Sequence, residues 1–587
     1  MKKIFYLFTI LIILSLAGIS IFTSCNNKIT PTITAYDTEV EYDGFTHSIS
    51  ASLSVHGGLE YTYIGIDNNY ESYIEPSLPG DYLVNISYNS VDKDRIEDAK
   101  TTVSLKIILP YTINEEGDEI SAYTGNFNDI VVPPRYRNKD INSIAPDTYN
   151  STNIASIKFP NSVFYVNPNG FKSCVSLTKL YISQNTKLLG GVYSNNVSFE
   201  YYDNPTKIFE DAYGRVEGIK ELKIPVTVTL IASRALLQIH IDTIIIPSHI
   251  SLNNQELSSY IKKVVVYVKN IKSQNILEDN YFSNLSSITT IELQEGIVEL
   301  GSNIFSNCPS LDTLIINSEI RWVTSDSFND SNIRKIIYNG NFSMQSFYLP
   351  ESLIEIDVTE GITEMLDFTF KNAAYVKKVI LPSTLKSIGA SAFEYCSSLE
   401  DINVPDGVIT ISYYSFSGCI SLKEIFLPSS ITEILDGAFN GCIALESINL
   451  PEQLKVIKNN SFGSCMSLKN IEIPNGVTVI EAAAFNNCTS LVSITLPKTL
   501  TAIYFSAFSF CNSLKDIYLY ENIEYLARNM FTGCYSLLSI TIATNIMPVI
   551  DDEAFKGLSI FCTIYVPSSL LESYAELFSN INFVAIP

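Results

Sequence analysis

Seven cysteines recur at a fixed interval of 23 residues, Cys396, Cys419, Cys442, Cys465, Cys488, Cys511 and Cys534, and their type and spacing could do chemistry. In a repeating chain equal spacing puts them in one structural column, and stacked strands would hold neighbouring members about 4.8 Å apart. That separation lies within the Cα range a disulfide can span. Three chemistries are open to such a column: free thiols buried as small apolar groups, disulfides between rungs, or metal ligation. Zinc needs four convergent ligands, and no histidine accompanies the column. Leu285 and Ala373 take the same position in other units, so plain apolar side chains serve there too. Free core thiols are therefore the expectation.

The other candidates carry less. The four histidines, His47, His56, His240 and His249, form no metal-spaced pair and no H-E-x-x-H motif. Ser-x-x-Lys matches run from Ser176 to Lys179 and from Ser383 to Lys386, but both fall on periodic positions of the repeat. Asp551-Asp552-Glu553 reads as a solvated turn before Ala554-Phe555. There is no G-x-S-x-G and no phosphate-binding loop. The chain is read as a non-enzyme, with no catalytic residue, no metal ligand and no cofactor.

The elements that must position the cysteines are visible in the same period. Phenylalanines stand three residues before each cysteine, from Phe393 to Phe531, and leucines three after, from Leu399 to Leu537. An isoleucine column follows, from Ile402 to Ile540, so that one unit reads A-F-x-x-C-x-S-L-x-x-I-x-L-P-x-x-[LIV]-x-x-I. Such a period, with leucine and isoleucine at these offsets, predicts a leucine-rich solenoid, in which no unit can bury its apolar side alone. The expected fold is a β-rich repeat solenoid of about 18 units over residues 119–565. Ile120 to Gly125 and Ile130 to Pro133 are expected to form a capping strand pair, and residues 188–208 an irregular repeat or insertion. Phe282, Phe305, Phe328, Phe370 and Phe393 are spaced 23, 23, 42 and 23 apart, which places a short unit near Phe347. Leu349-Pro350 is read there as the end of a strand, like Ile224-Pro225 and Leu381-Pro382. Residues 566–587 are read as a cap, with Leu570, Leu571, Tyr574 and Leu577 at helical spacing.

Before the array, residues 31–112 lack the period and alternate polar with apolar residues, as half-buried strands do. They predict a small β-rich module, β-grasp or immunoglobulin-like. Its Tyr42-Asp43-Gly44 and Pro79-Gly80-Asp81-Tyr82 stretches resemble the MBG modules of bacterial surface proteins. Residues 1–24 have a basic start and an apolar run from 4 to 22, the order of a secretory signal. Cys25 follows small residues and resembles the lipidation site of bacterial lipoproteins, although Phe22 stands where leucine is usual; a membrane-spanning anchor is the alternative. Residues 25–30 would be a tether. The net charge of −24 argues against nucleic acid and anionic membrane surfaces as partners, since both call for basic patches.

The repeat itself resembles the BspA-like leucine-rich repeats of bacterial and some protist surface proteins. The resemblance implies a right-handed solenoid with stacked parallel strands and a role in adhesion to host or bacterial surfaces. In the strand L-x-x-I-x-L the residue between Ile and Leu points outward. That position holds Asn403, Phe426, Asn449, Glu472, Thr495, Tyr518 and Thr541 in the regular units, and Ile245, Val265, Ile315, Ile337 and Ile380, interrupted by Glu292, in the central ones. An apolar outward row marks a docking patch, unless the register slips by one residue or loops cover it. The candidate ligand-binding residues are thus Ile245, Val265, Ile315, Ile337, Ile380, Phe426 and Tyr518, with Cys25 as the lipid site. The expected protein is exported, lipid-anchored at the cell envelope and binds a protein or glycan on a host or neighbouring bacterial surface. A structural envelope protein without a ligand is the alternative, and a solenoid platform for an exported enzyme a distant third.

Overall fold

The structure is a computed structural model of the 587-residue chain. It describes residues 28–586 except 67–68, 150–152, 172, 184, 189–190, 193–196, 202–203, 210–211, 214–215, 218, 233, 253–256, 270–274, 325, 341–348 and 579. The signal, Cys25 and the short unit near Phe347 lie outside the described residues.

The chain divides into two compact units. The first comprises 28–118 with 123–126 and 131–141. Its main sheet has the order Thr38–Glu41, Ala99–Ile108, Gly80–Tyr88, Glu60–Gly65, Glu71–Ser72, the first pair parallel and the others antiparallel. A second sheet pairs Ile33–Ala35 with Ala51–Leu53. Along Gly80–Tyr88 the residues Tyr82, Val84, Ile86 and Tyr88 are buried while their neighbours face out, which is the two-residue period of a strand with one covered face. Tyr82, Val84 and Ile86 pack with Tyr42, Ile49, Tyr63, Leu105 and Ile107. The described residues of this unit hold no helix, the element a β-grasp fold would lay across such a sheet.

The second unit holds the array, a β-solenoid of about 18 turns of about 23 residues. Each regular turn carries two short strands and one tight loop. The strands stack in parallel into two series: one contains Lys378–Ile380 and Asp401–Ile402, the other Ser387–Ile388 and Thr410–Ile411. The loop is where the phenylalanine and cysteine columns sit. It needs two left-handed residues per turn, two before and two after each phenylalanine, as at Asn460 (φ 52°) and Ser464 (φ 58°) around Phe462. Asparagine and glycine recur there because they tolerate that conformation best. Between the strands the Phe393, Phe416, Phe439, Phe462, Phe485, Phe508 and Phe531 rings stack with centroids 5.4 to 5.8 Å apart and planes within 11°. Stacked rings, buried leucines and buried isoleucines make one continuous core along the axis.

One sheet is unusually long. Nine parallel strands run without a break from Glu221–Lys223 to Asp401–Ile402. Beyond it the same series continues as two pairs, Glu424–Ile425 with Ser447–Ile448 and Asn470–Glu472 with Ser493–Thr495, and then as a four-stranded sheet from Asp516–Leu519 to Asn582–Ala585, and asparagine side chains clamp the ends of some paired rungs. Asn403 accepts the Leu381 N–H through Oδ1 and donates to the Leu381 carbonyl, both at 2.9 Å. Asn449 does the same to Leu427, at 2.9 and 2.7 Å. The amide side chain satisfies backbone groups that a longer strand would otherwise pair.

Two expectations change. Ile120 and Ile130 do not cap the array as a pair: Glu119–Tyr123 pairs in parallel with Ser143–Ile144, and Asp129–Val131 sits beside Ser156–Lys158. They belong to two different sheets, and Asp129–Val131 is the first strand of its own. The residues that would form a strand ending at Leu349-Pro350 lie outside the described residues; the rung paired with Lys335–Tyr338 is Glu355–Val358, and Val358 takes the inward terminal position. Pro350 opens a turn, its carbonyl accepting the Leu353 N–H at 3.0 Å. Helix Leu571–Leu577 is present but buries Tyr574 alone, while Leu577 is exposed. A further strand, Asn582–Ala585, follows the helix and pairs in parallel with Thr563–Val566.

Candidate functional site

The outward row of the nine-stranded sheet is brought together in one register. Lys223, Ile245, Val265, Glu292, Ile315, Ile337, Asp357 and Ile380 stand opposite one another on successive strands. Their neighbours Leu222, Ile244, Val264, Ile291, Leu314, Ile336, Ile356 and Val379 are buried, so the in-and-out alternation follows the two-residue period without a slip. Ile245, Ile315, Ile337 and Ile380 are half-buried. Val265 departs from the expectation, being 7% exposed. It is shorter than Ile245 and Glu292, which stand opposite it on the two neighbouring strands, and Glu292 pairs with Lys263 at 2.5 Å.

Asp357 is a second acidic interruption that the sequence reading missed, because Glu355 stands opposite Lys335, a shorter step along the chain than that of a regular turn. Its alternation, Glu355-Ile356-Asp357-Val358, was the available signal. Lys335 binds Glu355 at 2.7 Å and Asp357 at 3.3 Å, and the Glu355 hydrogen bond holds its ammonium above the usual lysine range. The face therefore repeats a motif of paired apolar side chains beside a lysine-bound carboxylate.

A second missed feature borders this row. Thr359 donates to Asn339 at 2.9 Å, Asn339 to Asn317 at 3.1 Å, and Asn317 to Glu292 at 3.0 Å, while Gln294 also donates to Glu292. Side-chain amides one rung apart can bond along the stack in this way. An open polar cleft of about 520 Å³ lies at its edge, lined by Gln294, Glu295, Asn317, Ser318, Glu319 and Asn339 among others. Phe426 and Tyr518 are not part of this face. They occupy the equivalent outward position in the later, interrupted sheets, where Phe426 is 83% and Tyr518 47% exposed.

The residues with chemical potential are tied up. Ten cysteines, from Cys174 to Cys562, are buried. Each thiol of the regular column donates to a phenylalanine carbonyl of the preceding turns, Cys442 to Phe416 for example, at 3.1 to 3.3 Å. Burial pushes the Cys396, Cys442, Cys488 and Cys534 thiols up to about 12, which removes the thiolate that reactivity or metal binding would need. Of the Ser-x-x-Lys matches, Ser383 is bound to Glu360 at 3.0 Å. Lys179 pairs with Glu200 at 2.9 Å, and that hydrogen bond keeps it protonated. Asp551 accepts from Tyr525 and from the Arg528 N–H, and Glu553 pairs with Lys556. Among the described residues no group of three or more His, Cys, Asp or Glu converges as a metal site.

Stacked parallel rungs, a single Phe-Cys-Leu core and an outward row of mixed apolar and paired charged residues define a leucine-rich-repeat solenoid with an extended face. The chain belongs to the BspA type leucine-rich repeat region family, which it matches over residues 95–200, 192–274, 258–365, 340–469 and 455–584. Among solved structures it is similar to a leucine-rich repeat protein from Bacteroides ovatus, at 18% identity over 81% of this chain and 98% of that one, with a TM-score of 0.26. It is also similar to a leucine-rich cell surface protein from Faecalibacterium prausnitzii, at 22% identity over 66% and 92%, TM-score 0.22. The pneumococcal vaccine antigen PcpA is similar at 15% identity over 81% and 91%, TM-score 0.26. No curated protein sequence matches.

Proposed function

We propose that this is an exported surface protein that binds a protein or glycan partner noncovalently, in the manner of an adhesin, through the outward face of its nine-stranded sheet. The observation that carries the reading is the single row Ile245, Ile315, Ile337 and Ile380, half-buried side chains in register with lysine-bound carboxylates. Half-buried isoleucines lose their remaining water when a partner covers them, at about 25 cal/mol per Å² of apolar area. The Lys263–Glu292 and Lys335–Asp357 pairs fix register more than they add affinity. Anchoring through a lipid on Cys25 would present many copies together, so that weak contacts gain strength by avidity.

The test is saturable binding of the purified chain to immobilised host-matrix and bacterial-surface ligands, repeated with Ile315→Asp and Ile337→Asp. A partner of this face is lost from both variants while their thermal midpoints stay within a few degrees of the parent. Absence of any saturable ligand would favour a structural envelope protein.

A further inference from the structure

The loop edge of the array carries aromatic rings where the backbone least welcomes them. Phe368, Tyr395, Tyr414 and Phe510 all adopt left-handed φ, from 54° to 62°. The same two positions in other turns mostly hold Asn, Gly, Ser, Ala or Asp, as at Asn487, Gly441, Ser464, Ala483 and Asp330, with Arg234 a further long side chain. A bulky side chain there costs backbone energy, and such costs persist where a site needs them.

Three of the four rings share a second peculiarity: the equivalent position of the next turn is a glycine, Gly418 after Tyr395, Gly437 after Tyr414 and Gly533 after Phe510. A Cβ placed on Gly418 would meet Tyr395 Cδ1 at 2.5 Å, one on Gly533 would meet Phe510 Cδ1 at 2.6 Å, and one on Gly437 would strike the Tyr414 ring. Each ring therefore lies across the bare backbone of the next turn. Tyr395 nevertheless remains 53% exposed and Tyr414 43%.

Tyr395 and Tyr414 are neighbours on this edge, because Gly418 beneath Tyr395 belongs to the same loop as Tyr414, whose carbonyl accepts the Ser417 N–H at 3.0 Å. Lys371 joins Phe368 to them. Its Nζ lies 5.4 Å from the Phe368 ring centroid and 5.9 Å from that of Tyr395, and 2.6 Å from Glu394. Beside Phe368 opens a cleft of about 810 Å³, with Met365 and Ile409 among its apolar lining and Glu364, Asp367, Lys386 and Ser412 among its polar lining. Tyr413, 49% exposed, follows Ser412 directly.

We propose that this edge, from the cleft at Phe368 across Tyr395 and Tyr414, binds a neutral glycan chain. A pyranose offers an apolar C–H face ringed by hydroxyls. Rings pinned flat on glycine backbone give rigid platforms for such faces at low entropic cost. Carboxylates, an ammonium and hydroxyls between the platforms suit the hydroxyl rim. A protein partner would instead want a dry apolar centre, and here polar groups separate the rings. The net charge of −24 disfavours an anionic glycan. This site shares no residue with the sheet face, so the two readings stand or fall separately.

The experiment is an array of neutral glycans, with heparin and immobilised matrix proteins as the other classes, probed with the full chain. Affinity electrophoresis against the retained polysaccharide follows for the parent, for Tyr395→Gly with Tyr414→Gly, and for Ile315→Asp with Ile337→Asp. The expected result is retention of a neutral glycan, at least tenfold weaker binding in the glycine pair with a thermal midpoint equal to or above the parent, and unchanged binding in the aspartate pair. Retention of heparin or protein alone, or of nothing, overturns the proposal. So does parental binding by the glycine pair. If both the glycine pair and the matching asparagine pair lose binding together with their fold, the rings are structural and the proposal fails.

Discussion

At the residue scale, the thiol column shows how a reactive group becomes a structural one. The phenylalanine carbonyl in each loop already accepts the cysteine N–H of its own turn, Cys442 to Phe439 at 3.2 Å. Its second lone pair takes the thiol of the next turn, Cys465 to Phe439 at 3.3 Å. Alanine at Cys442 or Cys465 should therefore cost about 1–3 kcal/mol, from a small cavity and a carbonyl left short of one donor; urea unfolding measures it. The thiols also set a pH limit. Their ordinary value of 9.0 is raised to about 12 in the fold at Cys396, Cys442, Cys488 and Cys534. Between those values the unfolded chain has shed protons that the folded chain keeps, so stability is full below pH 9 and falls as pH rises toward 12. The slope is at most about 1.4 kcal/mol per pH unit per thiol. Unfolding midpoints at pH 8, 9.5 and 10.5 should decline in that order, and replacing the four thiols with alanine should lessen the decline, the rest being carried by Cys419, Cys465 and Cys511, which burial also raises. The core role of this column was legible from Leu285 and Ala373 at the same position. Its hydrogen bond was not, since the acceptor is a backbone atom in the preceding turn, as Phe439 is for Cys465.

At the element scale, asparagine at the outward position clamps a rung to the one before it. Asn403 occupies both backbone groups of Leu381, just past the paired strands Lys378–Ile380 and Asp401–Ile402, and Asn449 does the same for Leu427. Asn449→Ala should leave the Leu427 N–H and carbonyl without their partner and cost about 1–3 kcal/mol. Hydrogen exchange at the Leu427 amide should accelerate, and an unchanged rate there would mean that the clamp is idle. Outward and inward positions were readable from alternation alone. Asp357 was not, because a shortened turn hides its rung from a fixed period, and neither was the burial of Val265, which depends on the longer side chains beside it.

At the scale of the whole molecule, the array is close to one-dimensional, each turn touching only its neighbours. Phe462→Ala should cost about 3–5 kcal/mol and open the chain to proteases around residues 439–485, leaving distant turns protected, whereas Glu472→Gln at an exposed position should do neither. Mapping the first cleavage sites decides between local and global opening. The sequence by itself determined the solenoid, its period and the identity of its core columns, because a repeat that must bury the same face in every turn writes that face into the sequence at fixed spacing. Only the tertiary structure decided which outward residues share a surface. The registers of shortened turns, the amide ladder from Thr359 to Glu292 and the rings of Tyr395 and Tyr414 lying on glycines one turn away arise between rungs, where side chains a full turn apart become neighbours and no local pattern records the contact.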